Sequence, residues 1–420
     1  MNLYLIIILA IIIGDYLLGL ITDWLNVKHL TTDLPKEFEG YYDAEKYRKA
    51  QSYLRDNTGF KLASGAVLTA IMILFILLGG FNIADLFARG FNLGYIPTGL
   101  IFAGVILLAS QIVHIPLAAY QTFVIEEKYG FNKTTVKTFI TDIFKGWLIG
   151  LIIGGIIFSV ILWLFAWAGS LAWLYCWIAL TVFQLFLVFI WPVIIMPLFN
   201  KFTPLEDGEL KTAIENYAQS EEFKMKGVFK MDGSKRSSKS NAFFTGFGRF
   251  RRIVLFDTLI AKHTVDELVA ILAHEMGHYR KKHILMWMIG SIITSGLMFF
   301  ILSFFINNPD LFAAFKMSNI SIYASLFFFG FLYTPINIVL SVFQSVISRR
   351  CEYSADRYAV ATYKKPEAMI TALKKLSVNN LSNLTPHPMK VFMEYSHPPV
   401  LDRVNAIRVL SLVSLGTKET

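Results

Sequence analysis

Residues 274–278 read His-Glu-Met-Gly-His, a spacing that supports metal chemistry when the segment is helical. One helical turn separates His274 from His278, so both imidazoles lie on the same face and can bind one metal ion. Glu275 lies beside that face, where its carboxylate can accept a proton from a water molecule that the metal activates. The pattern therefore predicts the site of a zinc protease, with two histidine ligands and a glutamate general base.

The flanking residues predict the helix that this chemistry needs. Thr264 is a candidate N-cap, and Glu267 stands three residues later, which are the two positions of a capping box. An apolar stripe at helical spacing follows: Leu268, Ile271, Leu272 and Met276.

A motif of five residues also occurs by chance, so a second feature is needed to support the prediction. A catalytic zinc site of this kind has a third protein ligand, which the sequence should therefore supply. Residues 351–358 form a helix-compatible segment that places Glu352 and Asp356 one turn apart on the same face. Glu352 is the candidate third ligand, and Asp356 can bond the free nitrogen of a ligand histidine. Cys351 is a rival ligand by its chemistry, but it points away from that face.

The apolar composition indicates that membrane helices position these residues. The 420 residues are 55% hydrophobic with a mean hydropathy of +0.53, far above a soluble globular chain. Seven apolar runs reach the roughly 20 residues that a helix needs to cross a bilayer. The runs are 3–21, 62–83, 95–123, 146–168, 171–199, 284–306 and 320–347. A turn at 168–170 must divide the fourth run from the fifth.

Lysine and arginine are concentrated in every second connecting segment, which orients the predicted spans. The basic segments are 22–61, 124–145, 200–283 and the C-terminal tail. The connections between them carry Arg89, Lys316 or no basic residue. The positive-inside rule then predicts an N-terminus outside and a C-terminus in the cytosol, with the metal motif on the cytosolic side. The first run lacks a basic start and a cleavage site, so it is expected to remain as a helix.

The same loops account for the net charge of +9, since basic loops lie near anionic lipid. No motif indicates a nucleic-acid partner. Two cysteines, Cys176 and Cys351, cannot form a disulfide framework, which suits a reducing cytosolic face. His114 lies inside the third run, where an ionisable side chain is expected to face a polar interior.

The metal motifs lie in two segments that are separated by two predicted spans. The predicted division is five spans in 1–199, a catalytic segment in 200–283, spans six and seven in 284–347, and a second catalytic segment in 348–420. Both ligand helices adjoin a span and can be extensions of it. That position places the site near the membrane surface and suggests membrane-bound or lipid-bearing substrates.

A hairpin is predicted just before the metal motif. Residues 240–244 and 252–256 are strand-prone, and Gly246 and Gly248 stand between them as turn residues. An edge strand here can bind a substrate backbone by strand addition, with main-chain hydrogen bonds from Asn241 and Ala242. An ordinary structural hairpin is the alternative.

A late segment carries two further candidates. Two prolines hold His397 in an extended setting, where it can donate to the oxyanion of a tetrahedral intermediate. A surface histidine that caps a helix is the alternative. Arg403 follows and can pair with Asp356 or Glu352.

Several independent motifs carry a resemblance to a known family. They are His-Glu-Met-Gly-His at 274–278, Cys-Glu-Tyr-Ser-Ala-Asp at 351–356, Asn-Ala-Phe-Phe-Thr-Gly at 241–246, Ser-His-Pro-Pro at 396–399, and the segments 126–133 and 197–204. With seven spans, the chain resembles the Ste24-type CAAX prenyl endopeptidases of the M48 metalloprotease family. The resemblance implies a mainly α fold, in which seven helices surround a water-filled chamber that a cytosolic zincin-like α+β domain caps.

The resemblance also implies roles for individual residues. It implies one zinc ion per chain on His274, His278 and Glu352, with Glu275 as base and Asp356 as an assisting acid. His397 joins the catalytic set. The substrate-binding set is Asn241, Ala242, Phe243, Phe244 and Arg403. The implied partners are a peptide or prenylated peptide and membrane lipid.

We therefore expect an integral-membrane zinc endopeptidase that cleaves membrane-associated or C-terminally prenylated (CAAX) substrates through metal-activated water. One alternative is an HtpX-like quality-control protease, although that group has fewer spans. Another is a catalytically silent membrane chamber, against which the intact Glu275 argues. The chain end, 416–420, carries no ER-retrieval signal, which favours a prokaryotic member in a bacterial inner membrane over one in the ER. The oligomeric state stays open, and a monomer is compatible with the sequence.

Overall fold

The structure is a computed structural model that describes residues 2–245 and 252–416. Within these residues, seven helical segments are long and apolar enough to cross a membrane, which confirms the predicted number. The segments are Leu3–Lys28, Ala44–Leu77, Tyr95–Glu126, Val136–Trp167, Gly169–Phe199, His283–Ser303 and Ile322–Tyr363.

The breaks between spans follow from local backbone chemistry. The predicted turn between the fourth and fifth spans is present, since Gly169 takes a left-handed φ of +58° that glycine tolerates without a Cβ clash. The predicted end of the second span at residue 83 is wrong. Its helix α2 ends at Leu77, and Gly79 (φ +74°) turns the chain before α3, Gly80–Arg89. The apolar residues continue through this break, so composition alone did not reveal it.

The segment after the fifth span forms a four-stranded sheet beside the metal motif. Its strands are β1 Phe202–Pro204, β2 Gly227–Met231, β3 Ala242–Thr245 and β4 Arg252–Phe256, in the order β1-β2-β4-β3. β3 pairs antiparallel with β4, from Ala242 opposite Leu255 to Thr245 opposite Arg252, as the predicted hairpin requires. The predicted turn at Gly246 and Gly248 lies outside the described residues. β3 is an edge strand of this sheet.

The metal motif lies on helix α11, Val265–Arg280. Thr264 and Glu267 form the predicted capping box, with each side chain bonded to the other residue's backbone N–H. The predicted apolar stripe is buried and packs against β4 and α9, Glu209–Ser220. Local capping and a buried face therefore fix the start and rotation of the helix that carries both histidines.

The two ligand-bearing helices differ in how they meet the membrane. Glu352 lies on α14, Ile322–Tyr363, a single helix of 42 residues that also forms the seventh span. The extension predicted for this helix is confirmed. The extension predicted for α11 is wrong, because Lys282 takes a left-handed φ of +58° that ends α11 and starts the separate helix α12, His283–Ser303.

The remaining helices complete the catalytic segments and the outer connections. They are α4 Tyr95–Tyr120, α5 Val136–Ile149, α6 Gly155–Trp167, α7 Ala172–Ile190, α8 Met196–Phe199, α10 Asp257–Ile260, α13 Pro309–Ala314, α15 Pro366–Asn379, α16 Pro388–Glu394 and α17 Val400–Gly416. α15 and α17 pack on α11 and α14 through a shared apolar core that includes Ala270, Val360 and Ile407. α17 supplies Arg403 to the site.

Candidate active site

Three donor side chains from α11 and α14 converge on one point. His274 Nε2 lies 3.1 Å from His278 Nε2, and Glu352 places its carboxylate oxygens 3.4 Å and 3.2 Å from these two nitrogens. The three ligand atoms lie within 4.8 Å of one another. Residues about 80 positions apart in sequence therefore form one cluster, as the two motifs predicted.

The cluster has the donor chemistry of a zinc site. Zinc prefers imidazole nitrogen and carboxylate oxygen, and two histidines with one glutamate are a known catalytic set. Glu352 is 3% exposed, and its Oε2 is buried without a hydrogen bond among the described residues. Arg403 Nη1 lies 3.3 Å from this oxygen without forming a hydrogen bond, and a cation between the three side chains fits this arrangement.

Cys351, the rival ligand, does not join the group that could hold a metal. Its neighbour Glu352 occupies the helix face that points at the histidines. The geometry is therefore consistent with the prediction that Cys351 points away from the face that carries Glu352.

A buried network holds the donor cluster in place. His274 Nδ1 lies 2.8 Å from Asp356 Oδ1, the partner expected from the i, i+4 spacing. Although burial lowers the pKa of His274, hydrogen bonds to Asp356 and Glu352 raise it to about 9. A histidine that holds zinc must be unprotonated at the ligand nitrogen, so His274 would release this proton on binding the ion.

Arg403 holds both carboxylates from α17. Its Nε and Nη2 donate to Asp356 at 2.9 Å and 2.6 Å, and Nη1 lies 3.3 Å from Glu352 Oε2. The predicted pairing is present as a bidentate contact. Because Arg403 is only 8% exposed, its position favours support of the two carboxylates over direct contact with a substrate.

Glu275 lies next to the cluster without belonging to it. Its side chain is half-buried and makes no hydrogen bond with another described residue. Burial raises the pKa of its carboxyl above the ordinary glutamate value. A carboxylate that is unengaged and more basic than usual suits proton transfer.

His397 reaches the cluster from the loop after α16. Its Nε2 lies 3.4 Å from Glu352 Oε1 while 63% of its side chain stays exposed. Arg349 on α14 holds the preceding chain by donating to the carbonyls of Val391 at 2.9 Å and Tyr395 at 2.6 Å. These contacts anchor the chain just before His397, whose imidazole lies at the rim of the site and faces solvent.

The edge strand β3 offers the Ala242 amide as a candidate contact for a substrate backbone. The Asn241 carbonyl already accepts a hydrogen bond from the Phe256 amide at 3.2 Å, so it is engaged within the sheet. The Ala242 amide instead donates to the Asn241 side chain at 2.8 Å. A side chain that caps its neighbour's amide can be displaced by a substrate carbonyl. Phe244 packs inward on Phe223, with ring centroids 5.5 Å apart.

Two residues that the structure brings to the site were not singled out from sequence. A Cβ added to Gly277 would lie 2.9 Å from the Cα of Ala355, so this glycine permits the close approach of α11 and α14. The position of Gly277 in the middle of a predicted helix could have revealed it, because glycine there lowers helix stability by about 1 kcal/mol relative to alanine. His283 places Nδ1 3.0 Å from His278 Nδ1.

His114, which was predicted to lie inside the third span, is exposed and bonds the Ser110 carbonyl at 2.8 Å. It is not a member of the donor cluster.

Comparison with known families covers nearly the whole chain. A family profile described as CAAX prenyl protease N-terminal, five membrane helices, matches residues 23–201. A second, described as peptidase family M48, matches residues 204–411.

Similar proteins of known name extend the comparison. The CAAX prenyl protease 1 homolog of Arabidopsis thaliana is 36% identical over 400 residues, which cover 91% of this chain and 93% of that protein. CAAX prenyl protease 1 of Saccharomyces cerevisiae is 35% identical over 407 residues, covering 90% and 89% of the two chains. The crystal structure of S. mikatae Ste24p matches with a TM-score of 0.92 at 34% identity, over 96% of this chain and 99% of that one.

These matches include the membrane helices as well as both segments that carry the donor cluster. The agreement with Ste24p confirms seven helices around a chamber, with a zincin-like domain at one end. The chain therefore belongs to the M48 metallopeptidase family and is an integral-membrane zinc endopeptidase of the Ste24 type.

Proposed function

We propose that this enzyme cleaves C-terminally prenylated CAAX peptides delivered from the membrane. The observation that carries the proposal is the position of Glu352 on the same uninterrupted helix as the seventh span. A scissile bond must therefore reach a site attached directly to a membrane helix. A prenyl chain favours this delivery, because each buried methylene contributes roughly 0.8 kcal/mol to membrane binding. The relatives named as CAAX prenyl proteases support the same substrate class.

In this proposal His274, His278 and Glu352 hold one zinc ion per chain. Zinc, when bound, supplies a Lewis acid that polarises the peptide carbonyl and makes water a stronger acid. Glu275 removes the proton from the attacking water and passes it to the leaving amine. Its half-buried setting supports this role, since a raised pKa brings the carboxyl closer to the working pH.

The supporting residues act on the ligands and on the developing charge. Asp356 accepts the Nδ1–H of His274 and so directs Nε2 toward the other donors. Arg403 keeps Asp356 and Glu352 ionised and holds their side chains in position. This is a positioning role, whereas the resemblance implied a contact with the substrate. His397, exposed at the rim, donates a hydrogen bond to the oxyanion of the tetrahedral intermediate.

We further propose that the substrate backbone adds to β3 as a further strand beside Ala242. Asn241, Phe243 and Phe244 form the rest of this substrate-binding segment.

Ala242→Pro removes the amide donor that points away from β4, so KM should rise or turnover should cease. Zinc content should stay unchanged, because β3 carries no ligand. Peptidase kinetics and metal analysis of the purified variant check this. Ala242→Gly is the matched control, since it keeps the amide; normal kinetics in a folded Ala242→Pro protein would leave β3 as a structural hairpin.

The charge pattern supports a cytosolic site, which we propose as the orientation. Reporter fusions after residues 35 and 132, between spans one and two and between spans three and four, should score cytosolic. A fusion after residue 92 should score on the opposite side. A cytosolic signal at residue 92 would reverse the topology and place the zinc domain outside. We also propose the division into 1–199, 200–283, 284–347 and 348–420, which follows the seven spans and the two segments that carry the donor cluster.

Matched peptides test the proposed substrate class. Farnesylated and unmodified peptides with the same CAAX sequence are incubated with the protein in liposomes, with zinc-loaded Glu275→Gln as the blank. Cleavage of the farnesylated peptide at a higher kcat/KM is the expected result. If neither peptide is cut while an unmodified hydrophobic membrane segment is, a quality-control protease of the HtpX kind describes the enzyme better. If the lipid matters and the CAAX sequence does not, the site selects membrane delivery alone.

A further inference from the structure

A third histidine contacts the donor cluster from the membrane side. His283 Nδ1 lies 3.0 Å from His278 Nδ1, with the two rings in an edge-to-face arrangement, 5.1 Å apart and 75° between their planes. His283 is 6% exposed, so its ring is enclosed by protein. It is the first residue of α12, the sixth span.

The break between α11 and α12 makes this contact possible. In a continuous helix a residue five positions after His278 would lie about 140° around the axis, on another face. The left-handed backbone at Lys282 (φ +58°) ends α11, and the chain then re-enters a helix at His283. The second histidine is thereby folded back onto the last turn of the first helix.

The contact matches a chemical need of His278. Its Nε2 faces Glu352 at 3.2 Å and His274 Nε2 at 3.1 Å, so this nitrogen points to the common centre. A neutral imidazole that offers the Nε2 lone pair carries its proton on Nδ1, and that N–H needs an acceptor. Asp356 fills this place for His274. The corresponding place for His278 is filled by His283 Nδ1.

We propose that His283 is a positioning residue that accepts the Nδ1–H of His278 and so fixes the ring and tautomer in which Nε2 faces the metal. His283 carries its own proton on Nε2 in this arrangement. The inference rests on the proposed ligand role of His278. It also ties one ligand to the sixth span by a hydrogen bond, while Glu352 is tied to the seventh by its helix.

Zinc affinity of purified variants tests the proposal independently of turnover. His283→Leu keeps an apolar side chain of related size but offers no acceptor, whereas His283→Asn restores one. His263→Leu is the control, since His263 precedes α11 in the same domain, bonds the Leu259 carbonyl at 3.1 Å and is not a member of the donor group. Affinity is measured by competition with a zinc chelator, and thermal unfolding of the metal-free proteins is followed in parallel.

We expect His283→Leu to bind zinc about 10–100-fold more weakly, as for other residues that orient a ligand histidine. His283→Asn should recover most of the loss, and His263→Leu should match wild type. Affinity within about twofold of wild type in His283→Leu, or an equal loss in His283→Asn, would overturn the proposal. If the leucine variant does not fold, the asparagine variant alone decides the question. Zinc affinity close to that of wild type supports the proposal, and a loss of about 10–100-fold overturns it. His278→Ala separates the two levels, because undiminished zinc binding there would refute the ligand assignment itself.

Discussion

Replacement of Glu275 by glutamine is expected to remove nearly all peptidase activity while zinc stays bound. Glutamine preserves the size of the side chain but cannot accept the proton of the attacking water, and loss of a general base costs on the order of 10²–10⁴-fold in rate. Zinc should remain because Glu275 is outside the donor group formed by His274, His278 and Glu352. Single-turnover cleavage and zinc analysis of the same preparation check both parts.

The pH profile gives this prediction a second readout. The base acts in its deprotonated form, so wild-type activity should fall as the pH drops through the Glu275 pKa. Burial raises that pKa, whereas the charge of a bound zinc ion lowers it, so the midpoint of this fall reports the balance of the two effects. The residual activity of the glutamine variant should lack this acidic limb. Turnover close to that of wild type would place the base elsewhere.

Replacement of Glu352 by alanine is expected to strip the protein of zinc. The change removes the carboxylate that faces both histidines and leaves Arg403 beside Asp356 alone. Loss of a ligand should exceed the about 10–100-fold change in affinity caused by a residue behind a ligand. Metal content after dialysis against a zinc buffer, with peptidase activity on the same samples, measures the effect.

The neighbouring cysteine provides the matched control. Cys351→Ala alters the adjacent position on α14 without touching the donor group, so zinc content and activity should match those of wild type. Full zinc occupancy in Glu352→Ala together with loss in Cys351→Ala would exchange the two assignments.

Local signals in the sequence were sufficient for much of the site. The capping box at Thr264 and Glu267 and the i, i+4 pairs at 274/278 and 352/356 depend only on helix geometry, which holds wherever the helix is placed. Pairing of Arg403 with Asp356 or Glu352 was predicted from charge, but the burial of Arg403 was not. Burial depends on how α17 packs on α14, which no local pattern encodes.

The features that sequence did not reveal depend on backbone breaks and close packing. Lys282 adopts a left-handed conformation that few residues other than glycine favour, so the break that brings His283 to His278 carried no residue signal. The end of α2 at Leu77 lies within apolar sequence, where hydropathy does not change. The engagement of the Asn241 carbonyl in the sheet depends on the register of β3 with β4.

Anomalous X-ray diffraction at the zinc absorption edge tests the central claim most directly, because it locates the ion without reference to activity. We expect one anomalous peak per chain, bounded by Nε2 of His274, Nε2 of His278 and the carboxylate of Glu352, with Glu275 nearby but outside bonding distance of the ion. A peak on Cys351, or no peak in crystals of protein that still cleaves peptides, would contradict the account of this centre.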